Sequence, residues 1–151
     1  MFQIRQAIEE DHQVIVDFQI WMAKESEGLD LDRDLLTDGV IAVFRDSQKG
    51  NYLVVEDDGK VIASLLITNE WSDWRNQYIY WLQSVYVLPT YRGKKVFSMM
   101  YDHVKSLVEK DDNVAGIRLY VDNSNEHALN VYNAVGMDGG HYKTFEWMKN
   151  E

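Results

Sequence analysis

The sequence predicts an α/β fold in which helices flank a mixed, mostly antiparallel sheet. Apolar residues recur at every second position in some segments and at every third or fourth position in others, and the two kinds of segment alternate along the chain. The chain has 151 residues, of which 46% are apolar, and this suits one domain with a substantial core. Since no repeat, linker or low-complexity stretch divides it, we predict a single domain over residues 1–151.

The first half of the chain predicts a strand, two helices and a group of three strands. Phe2–Ile8 alternates as a strand, and Glu9–Asp11 supplies acidic residues to the first turn of a helix that ends at Gly28. Leu31–Arg45 has a second helical pattern, and Asp58-Gly59 is typical of a hairpin turn between strands. The three predicted strands are Asn51–Glu56, Lys60–Asn69 and Tyr78–Leu88.

The second half continues the alternation of strands and helices. Pro89, the only proline, ends the preceding strand because it has no backbone N–H to donate. Apolar residues at helical spacing follow, so we predict a helix that begins at about Arg92 or Gly93. The remaining predicted elements are a strand at Val114–Val121, a helix at Asn125–Val135 and a last strand near Tyr142–Met148.

Composition excludes several classes of function. Fifteen basic and 25 acidic residues give a net charge of −10, which opposes binding to the phosphate backbone of DNA or RNA. The acidic surface serves solubility, and it can also steer a cationic substrate. There is no cysteine, and the four histidines lack paired ligand spacing, so we expect no metal. No apolar stretch predicts a leader or a membrane span, so we expect a cytoplasmic protein without a membrane partner.

The turn Arg92–Phe97 predicts an anion-binding site. It joins a strand to a helix, and the start of a helix exposes unpaired N–H groups at the positive end of the helix dipole. Arg92, Lys94 and Lys95 add positive charge at the same point. A solvated surface turn would have the same composition, so the turn alone leaves both interpretations open.

This turn resembles the cofactor motif of the GNAT N-acetyltransferase superfamily, in which glutamine or arginine precedes two small residues at fixed spacing. Lys95 and Phe97 stand here where the family usually has the small residues. A second segment, Asn125–Met137, is similar to the family's N-x-x-A-x-x-x-Y-x-x-x-G helix, with Tyr132 at the tyrosine position. The resemblance implies the acyl-CoA N-acyltransferase fold for the whole chain, with acetyl-CoA as cosubstrate.

The resemblance also implies where acetyl-CoA lies. Its phosphates are expected at the turn, and its pantetheine arm is expected beside the backbone of Val85 and Val87. The expected cofactor-binding residues are Val85, Val87, Arg92, Gly93, Lys94, Lys95, Val96, Phe97 and Asn125.

Two residues are expected to be catalytic. Tyr132 is implied as the group that protonates the departing thiolate, because a hydroxyl can donate to sulfur in the transition state. Gln83 stands where the similar spermidine/spermine N-acetyltransferases have a glutamate. Glutamine cannot accept a proton, but it can orient a water, so the general base stays unassigned.

The acceptor is expected to be the primary amine of a small cationic molecule. Carboxylates beside tryptophans hold an ammonium group by charge and cation–π contact. The expected substrate-binding residues are Glu25, Glu27, Glu70, Trp71, Asp73 and Trp74, although surface charges and packing tryptophans have the same pattern. A peptide amine is a second acceptor class, and a non-catalytic acyl-CoA-binding regulator is an alternative function. A nucleotide-phosphate binder is disfavoured because no G-x-x-x-x-G-K sequence is present. The sequence is compatible with a homodimer.

Overall fold

The computed structural model describes every residue from Met1 to Glu151. The chain groups into two compact units, Met1–Leu119 and Tyr120–Glu151. The first unit contains β1 (Phe2–Gln6), α1 (His12–Glu27), α2 (Arg33–Arg45), β2 (Asn51–Asp57), β3 (Lys60–Ser72), β4 (Gln77–Val87), α3 (Val96–Lys110) and β5 (Val114–Arg118). Short 3-10 turns lie at Glu9–Asp11 and Pro89–Tyr91. The second unit contains α4 (Glu126–Ala134).

The five strands form one sheet in the order β1-β2-β3-β4-β5. Pairing is antiparallel from β1 to β4 and parallel between β4 and β5. The parallel pair follows from α3, because a helical crossover returns the chain in the same direction. The predicted mixed, mostly antiparallel sheet is therefore confirmed.

The core of the first unit lies on both faces of the sheet. Ile15 of α1, Val40 of α2 and Val54 of β2 belong to one buried cluster. Side chains alternate along a strand, so Val55 points to the opposite face, and it is also fully buried. The helix α3 contributes Met100, which is likewise fully buried.

Several predicted element ends are confirmed by their local geometry. Gly28 ends α1 in the left-handed conformation, with φ of 65°. Asp58 and Gly59 have φ values of 49° and 84°, as a two-residue hairpin of type I′ requires. The second helix begins at Arg33, two residues later than the pattern indicates, because the Asp32 side chain caps it by accepting from Asp34 and Leu35 N–H groups.

Two further predicted boundaries were wrong. The helix α3 begins at Val96, not at Arg92 or Gly93, because Gly93 and Lys95 have positive φ values of 77° and 62° and cannot continue a helix. The strand β5 ends at Arg118, three residues before the predicted Val121.

The predicted last strand near Tyr142–Met148 does not form. Aromatic residues favoured that assignment, but the preference of aromatics for strands reflects packing on a half-buried pleated surface. Phe145 and Trp147 are 92% and 86% exposed, so this segment lacks such a surface.

Candidate active site

The strands β4 and β5 pair over only part of their length. Their register runs from Tyr78 opposite Val114 to Trp81 opposite Arg118. Beyond this point β4 continues to Val87 and pairs with β3 alone. The backbone of β4 from 82 to 87 therefore lies outside the parallel ladder, and an unpaired strand edge can hydrogen-bond an extended polar chain. Val85 and Val87 both belong to this stretch.

A β-bulge interrupts β4 within the same stretch. Gln83 lies opposite Leu66 and Tyr86 lies opposite Ser64, so β4 has one residue more than β3 between these pairs. Ser84 has φ of 54°, which is uncommon for a residue with a side chain. The bulge takes Ser84 and Val85 out of the one-to-one register, which re-aims their backbone groups.

Gln19 holds this bulge from α1. Its side-chain amide Nε2 donates to the carbonyl oxygen of Ser84 at 3.2 Å. Gln19 is only 5% exposed, so the bond is shielded from water. Sequence analysis missed this residue, although a signal was present: Gln19 lies three and four residues after the buried Val16 and Ile15, within the apolar stripe of α1.

The turn between β4 and α3 has the features of a phosphate site. The first N–H groups of any helix have no preceding turn to supply acceptors, and in α3 these groups lie at the end of the helix that follows Lys95. Lys94 Nζ lies 5.3 Å from the centre of the Tyr91 ring, which places a positive charge beside the turn. Tyr91 is itself anchored, because its hydroxyl donates to Asp57 at 3.0 Å. Backbone donors, dipole and charge therefore fit a phosphate group here.

Lys95 and Phe97, the two departures from the family motif, have distinct structural consequences. Lys95 precedes α3 with φ of 62°, a conformation that glycine adopts without steric cost. Phe97 stacks on Tyr101, one turn further along α3, with ring centres 6.2 Å apart. The first departure therefore strains the backbone, and the second places an aromatic ring beside the donor groups.

We expect Lys95→Gly to raise the free energy of unfolding by about 0.5 to 1 kcal/mol. Relief of the left-handed strain, worth about 1–2 kcal/mol, exceeds the added entropy of the unfolded chain. Chemical denaturation measures the change. Lys94→Gly is the matched control, because Lys94 has no positive φ and glycine there should only destabilise. A loss of stability in Lys95→Gly equal to that control would contradict the strain argument.

Arg92 and Glu25, predicted to contact different ligands, are bonded to each other. Arg92 Nη2 donates to Glu25 Oε2 at 2.8 Å, and Arg92 Nε donates to the Val87 carbonyl oxygen at 2.9 Å. The Tyr86 hydroxyl donates to the other Glu25 oxygen at 3.0 Å. Burial and this bond to Glu25 raise the pKa of Tyr86 to about 12, so Tyr86 stays a neutral donor. This pairing joins the last turn of α1 to the turn Arg92–Phe97, which is called the phosphate turn below.

Glu70 belongs to a separate polar network on the sheet. It accepts from Trp81 Nε1 at 2.7 Å and from Arg118 Nη1 at 2.8 and 3.0 Å. The Trp81 hydrogen bond, followed by the Arg118 pair, lowers the pKa of the Glu70 carboxyl below its usual value. Glu70 is therefore an ionised acceptor whose charge is already balanced by Arg118, which weakens the case for it as an ammonium site.

Gln83 lies on the same face of the sheet as Glu70. Its Nε2 donates to Thr68 Oγ1 at 2.6 Å, and Thr68 lies opposite Trp81 in the register. Since the amide nitrogen is committed to Thr68, the carbonyl oxygen of Gln83 is the atom that can accept from a water or an amine. This fits the predicted role of orienting a water.

The other predicted acceptor residues lie at exposed positions. Trp71 packs edge-to-face on Tyr78, with ring centres 5.0 Å apart, whereas Trp74 is 91% exposed at the tip of the β3–β4 hairpin. Asp73 lies in the same turn, and Glu27 is the exposed last residue of α1. The residues predicted to bind the acceptor therefore lie in three places: the tip of the β3–β4 hairpin, the end of α1 and the Glu70 network.

Within the second unit, the family-like helix is α4. Asn125 caps it, with its side-chain oxygen accepting from the Ala128 N–H at 3.1 Å. This bond gives Asn125 a structural role in starting α4, beside the predicted contact with the cofactor. Tyr132 is half-buried, and burial raises the pKa of its hydroxyl, so Tyr132 is protonated at neutral pH. It therefore has the form that a proton donor needs.

No helix of the protein has the length and apolar character that crossing a membrane requires. No group of three His, Cys, Asp or Glu side chains is arranged to hold a metal ion.

Comparison with known proteins extends over most of the chain. A model of the acetyltransferase (GNAT) family matches residues 10–137. A possible acetyltransferase from Clostridium difficile is 40% identical, with a TM-score of 0.92, and the match covers 100% of this chain and 99% of that chain. No curated protein matches the sequence.

Two more distant solved structures share the fold. A predicted acetyltransferase with acetyl-CoA from Clostridium acetobutylicum has 19% identity and a TM-score of 0.75, over 100% of this chain and 96% of that chain. AAC(6')-Iy, in complex with the bisubstrate analogue CoA-S-monomethyl-acetylneamine, has 14% identity and a TM-score of 0.76, over 99% of each chain.

Proposed function

The chain belongs to the GNAT family of acetyltransferases, and on this premise we propose that it transfers the acetyl group of acetyl-CoA to a primary amine of a small cationic molecule. The observation that carries the proposal is the divergence of β4 from β5, which leaves the β4 backbone at 82–87 outside the parallel ladder. The phosphate turn follows directly after this stretch along the chain. A strand edge that leads to an anion site suits a long ligand with phosphates at one end.

The proposed cofactor contacts divide into two sets. Backbone groups of Val85 and Val87 would hold the pantetheine arm as an additional strand would. The N–H groups at the start of α3 would hold the phosphates, with Lys94 and Lys95 supplying charge. When bound, acetyl-CoA supplies an activated thioester.

The catalytic contributions of the chain follow from its polar groups. Backbone N–H groups at the Ser84 bulge would stabilise the negative charge that develops on the thioester oxygen. The carbonyl oxygen of Gln83 would orient the amine or a water that removes its proton, because the Nε2 atom is bonded to Thr68. The protonated hydroxyl of Tyr132 would donate to the departing thiolate.

The proposed acceptor class rests on charge. The net charge of −10 attracts cations to the surface and repels acids. Glu27 and Asp73 are exposed carboxylates without an ion pair, Glu25 is an exposed carboxylate that pairs with Arg92, and the exposed ring of Trp74 offers a face for cation–π contact.

The first test is binding of acetyl-CoA to the purified protein, measured by its melting temperature. At a ligand concentration about 100 times the dissociation constant, binding adds about 2.7 kcal/mol of stability, which raises the melting temperature by several degrees. ATP should bind less well, since it lacks the pantetheine arm. No shift at millimolar acetyl-CoA would refute the cofactor assignment.

The second test is turnover with a panel of amines, followed by release of the CoA thiol. We expect cationic amines to react with lower KM than dicarboxylic amino acids, and we expect added salt to raise that KM by screening exposed charges. An anionic best acceptor, or a KM indifferent to salt, would contradict the proposed acceptor class.

A non-catalytic acyl-CoA-binding regulator is the second candidate. The Lys95 and Phe97 departures in the turn favour it, as does Gln83 in place of a proton-accepting residue. Binding of acetyl-CoA without thiol release over the whole amine panel, including peptide amines, would support this alternative.

A further inference from the structure

The Arg92–Glu25 pair joins two groups that the proposed function uses separately. Arg92 lies next to Gly93 of the phosphate turn, while Glu25 lies in the last turn of α1. In this arrangement Arg92 satisfies one Glu25 oxygen and the Val87 carbonyl, and Tyr86 satisfies the other Glu25 oxygen. Both carboxylate oxygens are therefore occupied, and the charge of Glu25 is balanced.

This ion pair is easily exchanged. The side chains of Arg92 and Glu25 are 41% and 43% exposed, and an exposed pair of this kind changes an equilibrium constant by a factor of about five at most. A guanidinium also binds phosphate through two parallel hydrogen bonds, which makes phosphate a strong competitor for Arg92.

We propose that Arg92 and Glu25 form an exchange pair that makes the amine site depend on the cofactor. The phosphates of CoA withdraw Arg92 from Glu25, and the Glu25 carboxylate, left with the Tyr86 hydroxyl, then binds the ammonium group of the acceptor. The exchange also releases the Val87 carbonyl at the β4 edge. This inference rests on the proposed function and deepens it, because it assigns the contact with the ammonium group to Glu25 in the CoA-bound protein.

Calorimetric titration of CoA into four full-length proteins tests the exchange: the natural chain, Glu25→Gln, Arg92→Gln and the double variant. Glu25→Gln should strengthen CoA binding by up to about fivefold, because Arg92 loses its competing partner. Arg92→Gln should weaken CoA binding, and adding Glu25→Gln to it should change nothing further. Glu27→Gln is the matched control, since it removes the same charge from the same helix end without breaking an ion pair.

The outcomes separate the exchange from the proposed function. The exchange is overturned if Glu25→Gln strengthens CoA binding equally with and without Arg92, or if Glu27→Gln strengthens it by the same factor. Either result would mean that removal of any negative charge at this helix end raises the affinity for CoA. If CoA binds none of the proteins, including the natural chain, the proposed function itself fails.

A second titration tests whether CoA makes the Glu25 carboxylate available to an ammonium group. The probe amine is 1,4-diaminobutane. CoA should strengthen its binding to the natural chain by about fivefold or less. In Arg92→Gln the diamine should bind equally with and without CoA, and in Glu25→Gln it should bind weakly in both cases. If CoA leaves the affinity of the natural chain for the diamine unchanged, this step is overturned.

Discussion

Replacement of Tyr132 by phenylalanine is expected to lower kcat about 10²- to 10⁴-fold, or about 3–5 kcal/mol of transition-state stabilisation, because a positioned proton donor is lost. The substitution keeps the ring, so the melting temperature and the affinity for acetyl-CoA should change little. Burial raises the pKa of Tyr132, which keeps the natural residue protonated at neutral pH. Steady-state kinetics with the best acceptor and a binding titration of acetyl-CoA together measure the effect.

Tyr52→Phe is the matched control for this substitution. Tyr52 is a buried tyrosine on β2 whose pKa burial raises to about 12, and it has no proposed role in transfer. Removal of the Tyr52 hydroxyl should leave kcat unchanged. If Tyr132→Phe retained the turnover of the natural enzyme, Tyr132 would not be the acid. If it lost melting stability along with turnover, its role would be packing.

Gln19→Glu is expected to lower the free energy of unfolding by about 3 kcal/mol or more at neutral pH, because a buried carboxylate would face the Ser84 carbonyl without a donor between them. The two side chains have the same shape, so the change replaces the N–H donor by a charged acceptor without altering the packing. Turnover should fall as well, since displacement of the bulge by about 1 Å can cost up to about 10²-fold.

The effect of Gln19→Glu should depend on pH. A protonated glutamic acid can donate to the Ser84 carbonyl, so folding raises the pKa of this new carboxyl above its unfolded value. Stability is then fully retained below the unfolded pKa of about 4.3 and is lost as pH rises through the folded pKa. Urea unfolding at pH 5 and pH 8 measures the difference.

Gln13→Glu is the control for charge and helix propensity, because Gln13 is exposed on the same helix. It should show little loss of stability at either pH. Equal losses from the two substitutions would mean that Gln19 does not hold the bulge.

The sequence by itself determined the order and type of most elements. Apolar spacing is a local property, and a period of two or of 3.6 is visible within a few turns or strands. Local turn chemistry was equally direct: Asp58-Gly59 gave a hairpin turn, and Gly28 ended α1. The resemblance of Arg92–Phe97 and Asn125–Met137 to a family also required only short segments, and the family model over residues 10–137 confirmed the family.

The tertiary structure decided how distant groups meet. Arg92 and Glu25 are 67 residues apart in the chain, and Gln19 and Ser84 are 65 apart, so no local period could reveal either bond. The start of α3 at Val96 depended on the positive φ of Lys95, a backbone conformation that a lysine side chain disfavours and that the sequence therefore did not predict. The segment 142–148 failed as a strand because the preference of aromatics for strands depends on packing against a half-buried surface, and propensity carries no information about whether the tertiary structure supplies one.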